Sequence, residues 1–555
     1  MNKIATILLI MMLSVLNLSA QDTSYKIVME NDTSIRAFVD SIPITMGRRN
    51  VHRIHYEYPS TDADGKSLTI SGLILIPSEI YSRSVPCDGV ILYNRYTHSD
   101  AKAAPTLRGE DLGQDLIANP LKPNYIVVMS DYIGLGASAD RPQAFLCGSV
   151  NARNLLDGLL AARQLMKDRN IDQGKYLFNV GYSQGGSDAM FVCKVRDNEY
   201  RDKGIVFDKT FAGGGPLDLE KAYTEMVKQP TAGYMPGVVL MIVSLNETYH
   251  LGLDYTKVFK DPVASHIDEW ILQKKYHTDA LRTLIATDSL KHVFQPAYLN
   301  VNSEESKVIR NKLKEISLTE GWNIDKTQKF FITNSRHDTY TPIQSVRGVF
   351  SWMKNQGFKP SIVPGKTNLQ TNTLLFKVDH GVTAVTWFIQ TAAALQLWPV
   401  MYYEGEQNRY YNSMVKDLDL MKVIKTLEGW GIDLRKIIKD ATSGDGSGSG
   451  QAPDFFSILA KVNTALEKVG LDLTALYEML DDSGITISDL MAVYSYLTTA
   501  PSGAKGEIAT VDEAYNTIMT RELDGPAYLL RQYQTILANW FISAGIQVGL
   551  TETFQ

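Results

Sequence analysis

The chain has 555 residues, 44% hydrophobic and 21% charged, with a formal net charge of −6. That length exceeds what one hydrophobic core usually organises, so one large domain with an addition, or two domains, is expected. Acidic and basic residues are interspersed, which argues against nucleic acid or an anionic membrane as partner.

Residues 1–20 read as a signal peptide: Lys3 near the start, an apolar run from Ile4 to Leu16, then Asn17-Leu18-Ser19-Ala20 with cleavage expected after Ala20. The apolar run, about 13 residues, is shorter than the roughly 20 a spanning helix needs, so no stable membrane anchor is expected. The mature chain is expected to be secreted or periplasmic, and losing Lys3 takes its net charge from −6 to −7. Cys87, Cys147 and Cys193 sit in no metal-binding or redox spacing, which points to structural burial. Export would permit one disulfide, whose pairing the spacing does not reveal.

From Val51 the chain offers a β-hairpin, with strands at His52–Tyr58 and Leu68–Ile76 around a turn at Asp64-Gly65. Apolar runs follow at Gly89–Tyr93, Tyr125–Ser130, Tyr176–Val180, Phe207–Ala212, Lys329–Thr333 and Thr373–Val378. They are continuous and not alternating, as strands buried on both faces are. Between them Ala152, Leu155, Leu156, Leu159 and Leu160 make a helical stripe, and Val385, Phe388, Ile389, Ala392 and Ala393 make another. This is an α/β pattern: a mostly parallel sheet with helices on both faces.

Two stretches break the alternation. Residues 219–328 are far longer than a crossover needs and helical in pattern, with an apolar run from Val238 to Leu245, so an inserted helical cap is expected there. It divides the core domain into 21–218 and 329–398. Beyond it lie a helical extension at 399–441, a Gly/Ser linker at 442–452 and a C-terminal helical bundle at 453–555. The linker lacks the spaced acidic ligands of a calcium loop. The bundle carries no recognisable chemistry and is expected to serve packing, self-association or a protein partner.

Gly181-Tyr182-Ser183-Gln184-Gly185-Gly186 matches Gly-x-Ser-x-Gly, the strand-to-helix turn that exposes a nucleophilic serine, and it follows a predicted strand and precedes a predicted helix. A serine hydroxyl needs a base, and the base an orienting acid. In the chain order serine, acid, histidine, the base is expected to be His380, just past the last predicted strand; the histidines from His250 to His292 fall in the cap. Asp338 follows the strand ending at Thr333, where open α/β sheets keep their sites. Asp379 is its rival, but adjacent residues cannot readily align carboxylate and imidazole on one site. The same reasoning removes His337 as base beside Asp338. The oxyanion donors are expected from the Gln184 N–H and from the loop Tyr93-Asn94-Arg95-Tyr96-Thr97, where Arg95 and Tyr96 both remain open. No cofactor or metal is called for.

With these residues placed, the stretch from about Val51 to Leu397 resembles the α/β-hydrolase superfamily and, within it, secretory-lipase-type enzymes. Besides the serine motif, the similar features are Asp131-Tyr132-Ile133-Gly134-Leu135-Gly136, Asn151-Ala152-Arg153 with Leu156-Asp157-Gly158, and Gly214-Gly215-Pro216-Leu217-Asp218-Leu219. The resemblance implies an α/β-hydrolase fold, a Ser183-Asp338-His380 triad and a small-molecule or lipid-like ester as substrate. The chain departs from the pattern in lacking His-Gly in the oxyanion loop and in carrying Ile133 where an arginine is common. A prolyl-oligopeptidase-like peptidase is the alternative, weakened because only about 160 residues separate Gln21 from Ser183. A non-catalytic hydrolase-fold binding protein is the third reading, disfavoured by an intact triad.

Overall fold

The structure is a computed structural model describing residues 24–36, 48–108, 112–118, 123–361, 368–374 and 379–401. The signal segment, the linker and the C-terminal bundle lie outside the described residues.

Ten strands form one sheet: β1 (Lys26–Arg36), β2 (Arg48–Thr61), β3 (Ser67–Pro77), β4 (Gly89–Asn94), β5 (Tyr125–Ser130), β6 (Tyr176–Tyr182), β7 (Lys209–Gly213), β8 (Phe330–Ser335), β9 (Pro360–Ser361) and β10 (Leu369–Leu374). Their spatial order is β1-β2-β3-β5-β4-β6-β7-β8-β10-β9. The first three strands run antiparallel and β3 meets β5 antiparallel; from β5 onward every pairing is parallel. The turn between β2 and β3 is held by the Asp62 carboxylate, which accepts from the Asp64 and Lys66 N–H groups.

The continuous apolar runs have a direct cause. Val90 and Leu92 of β4 enter one core, while Ile91 and Tyr93 enter the other. Each strand still alternates, but both destinations are dry. On the first face lie α1 (Gly148–Asp168) and α2 (Gln184–Glu199); Ala152, Leu155, Leu156 and Leu159 of the predicted stripe are fully buried. On the second lies α7 (His380–Met401), with Trp387, Phe388 and Ala392 against Phe178, Val180 and Phe211.

The segment expected to be a cap is helical, with α3 (Leu219–Met226), α4 (Met235–Tyr249), α5 (Glu304–Glu315) and several further short helices. Ser303 caps α5 by accepting from the Ser306 N–H, and Glu304, Glu305, Lys312 and Lys314 match the helix dipole at its two ends. Met235, Val239, Leu240 and Ile242 are buried in the large core, so this stretch mostly packs. After β8 the chain makes α6 (Ile343–Asn355).

Two strands escape the sequence reading. β1 carries Glu30-Asn31-Asp32 in its middle, leaves Val28 and Met29 exposed and has a register shift between Ile27 and Met29, so as an edge strand it shows no apolar run. β9 has only two residues. The run expected at Thr373–Val378 is corrected: the strand begins at Leu369, because the register against β8 pairs Leu369 with Phe330, and residues 375–378 lie outside the described ones.

All three cysteines are buried free thiols, and burial pushes each up to about 12.

Asp157 on α1 ties the helix to β2. It accepts from Ser60 Oγ and Tyr200 OH, both at 2.6 Å, and burial raises its carboxyl from 3.8 to about 6. A carboxyl raised on folding contributes stability that is complete below pH 3.8 and lost as pH climbs to about 6. Asp157→Asn is therefore expected to flatten the thermal-melting profile between those values; a slope equal to the parent's would refute this.

Candidate active site

Strand β6 delivers Tyr182 and stops at Ser183, which sits at φ 58° and ψ −122° before α2 begins. A side chain other than glycine is rarely held at positive φ, and the conformation persists here because the surroundings determine it. The Ser183 N–H donates to Gly213 O at 2.8 Å. Space explains the motif's glycines: a Cβ on Gly181 would lie 2.0 Å from Gly185 O, and one on Gly185 would lie 2.0 Å from Asn94 O. Strand and helix start are thereby pressed against the end of β4.

His380 is the first residue of α7, and its Nε2 lies 2.9 Å from Ser183 Oγ. On the ring's other side Nδ1 lies 2.6 Å from Asp338 Oδ2. Asp338 is 5% exposed, on the loop after β8. Its Oδ1 accepts from the Tyr340 and Thr341 N–H groups at 2.8 and 3.0 Å, and Oδ2 also accepts from Thr341 Oγ1. Burial pushes this carboxyl up, but the neighbouring His380 and the hydrogen bonds from Thr341 outweigh it and hold it below 3.8. Asp379 is exposed; its carbonyl accepts from the Thr383 N–H and hydroxyl and so opens α7. His337 is half-buried, with its N–H on Ser335 Oγ.

Gln184, 2% exposed, is the first residue of α2, where a backbone N–H finds no carbonyl one turn back. Arg95 is buried, with its guanidinium on Ala103 O and its own carbonyl accepting from Tyr132 OH at 3.2 Å. Tyr96 is half-buried beside His98, ring centroids 4.5 Å apart. In the helical insertion between β7 and β8, His250 meets Asp64, His266 meets Pro262 O and His277 caps a short helix, Thr278–Ile285.

Sequence reasoning missed the aromatic setting of the imidazole. Tyr340 stacks on His380 at 5.0 Å and 24°, while the Tyr182 ring lies 5.1 Å from it and its hydroxyl donates to His380 O. Tyr234 from the helical insertion stacks in turn on Tyr340 at 4.8 Å, and Arg282 donates to both Tyr340 OH and Gly233 O. Neither tyrosine has a spacing that would mark it, although Tyr182 lies inside the serine motif.

Residues 106–389, just over half of the chain, match the model of the secretory lipase family. The chain belongs to that family. Its members make it a carboxylic ester hydrolase on the α/β-hydrolase fold. No curated protein sequence matches it. Among solved structures it is similar to a ligand-bound form of the rice cell wall degrading esterase LipA from Xanthomonas oryzae. The two share 20% identity over 67% of this chain and 97% of that one, with a TM-score of 0.54. It is also similar to a putative hydrolase from Legionella pneumophila, at 17% identity over 69% of this chain and 98% of that one, with a TM-score of 0.55. At such identities the likeness shows the fold of this secretory lipase and not its substrate.

Proposed function

We propose that the protein is a secreted lipase-like esterase that works through an acyl-enzyme on Ser183. The observation that carries this reading is the hydrogen-bonded line from Ser183 Oγ through His380 to Asp338, at 2.9 and 2.6 Å. His380 Nε2 takes the hydroxyl proton as Oγ attacks the ester carbonyl, and Asp338 accepts from Nδ1–H, which selects the tautomer with a free Nε2. The tetrahedral oxyanion is met by the Gln184 N–H and a second donor from the loop after β4. His380 then passes the proton to the departing alcohol. Water attacks the acyl-enzyme with His380 again as base, releasing the acid and restoring the serine.

Acyl esters are favoured over peptides by the family and by the aromatic surface of Tyr340 and Tyr234 beside the imidazole. Secretion is supported by residues 1–20 and agrees with the family's name. The test is a panel of acyl esters and peptides given to the exported protein. Ester turnover by a chain starting at Gln21 is expected; peptide cleavage without ester turnover would overturn the reading.

A further inference from the structure

Asp131 and Tyr132 adjoin in the turn after β5, and each reaches one end of the loop after β4. Asp131 accepts from the Thr106 N–H at 3.1 Å and from the Thr106 hydroxyl, while the Tyr132 hydroxyl donates to Arg95 O at 3.2 Å. Tyr132 itself is held at φ 65°, uncommon for a bulky side chain, and is 3% exposed. The held peptide lies at the nucleophile turn: a Cβ on Gly185 would be 2.8 Å from Arg95 O, and Gly185 follows Gln184 directly.

Resting on the esterase reading above, we propose that Tyr132 is a positioning residue for catalysis: its hydroxyl sets the Arg95–Tyr96 peptide plane so that the Tyr96 N–H is the second oxyanion donor. In a trans peptide the carbonyl and the following N–H point in opposite directions. Pulling Arg95 O inward to the buried hydroxyl therefore turns the Tyr96 N–H the opposite way, away from that hydroxyl. This replaces the missing His-Gly with a side-chain tether on an ordinary backbone. Asp188, fully buried beside Tyr132 on α2, would compete for the phenolic proton as a carboxylate. Burial raises its carboxyl to about 7, against hydrogen bonds from Tyr132, Asn151 and Gln184 that lower it, so the geometry that favours Arg95 O is the 3.2 Å contact itself.

Tyr132→Phe removes only the hydroxyl. Losing a whole oxyanion donor costs on the order of a hundredfold to a thousandfold in turnover, so a loosened one is expected to cost about 10- to 100-fold in kcat with KM nearly unchanged. A structural role would not alter how the hole senses the oxyanion itself. The assay therefore compares an ester with its thionoester, whose sulfur is a weaker acceptor. Wild type should strongly prefer the oxygen substrate, and the variant should lose much of that preference. Thr106→Val, which cuts the hydroxyl tether at the loop's other end, should show the same change in smaller degree and serves if Tyr132→Phe does not fold. Unchanged kcat, or a lower kcat with the oxygen preference intact, overturns the proposal. Absence of ester turnover by the wild type would instead overturn the esterase reading.

Discussion

Ser183→Ala is expected to lower kcat on acyl esters by about a millionfold while leaving the fold intact. The substitution removes Oγ and its contact with His380 Nε2, but the tie that holds the turn is the backbone bond from the Ser183 N–H to Gly213 O. Alanine is no more strained than serine at φ 58°, and the glycines that let strand and helix approach are untouched. What remains is catalysis by the oxyanion donors and binding alone, on the order of a thousandfold to ten-thousandfold over water. Steady-state turnover, fluorophosphonate labelling and thermal melting together check this. A folded variant that keeps more than about a thousandth of the parent activity would remove Ser183 from the mechanism.

Asp338→Asn is expected to lower kcat by about ten-thousandfold, and the hydrogen bonds around the carboxylate say why. Oδ1 faces two backbone donors, the Tyr340 and Thr341 N–H groups, so the amide oxygen of asparagine must take that place. Its NH2 then faces His380 Nδ1 where Oδ2 had accepted. A donor at Nδ1 forces the proton to Nε2, and a protonated Nε2 cannot take a proton from Ser183. Stability should change with a known sign. Asp338 is held below 3.8 in the fold, so its contribution is present above that value and lost as pH falls through the folded value. The asparagine variant should melt lower than wild type at neutral pH, with the gap closing in acid. Asp379→Asn, changed on the exposed neighbour, should stay within about tenfold of wild type; a collapse there with Asp338→Asn active would exchange their roles.

Much of this was open to reading in the chain because it is local. Gly181 to Gly186 is a turn whose requirements are steric and lie within six residues, and the strand before it and helix after it are patterned by their own burial. The order serine, acid, histidine along β6, β8 and α7 follows from the parallel sheet, since every loop at its carboxyl edge opens on the same side. By contrast β1 was hidden because an edge strand needs only half its side chains buried, and among its described side chains only Ile35 is deeply so. The start of β10 was misjudged because Gln370, Thr371 and Asn372 are polar yet pair with β8.

Ser183 with His380 and Asp338 as candidate partners, an α/β sheet, and a helical insertion between β7 and β8 were thus determined by the amino-acid sequence itself, through periodicity, glycine sterics and chain order. The tertiary structure alone decided which carboxylate meets the imidazole, and it set the two tyrosines beside that ring. It also tied Arg95 O to Tyr132, residues separated by 36 intervening positions. Hydrogen bonds and ring contacts of this kind depend on distances between elements that neighbouring residues do not encode. They arise only once β4, β5 and α2 pack side by side, and the orientation of a single peptide plane follows from that packing.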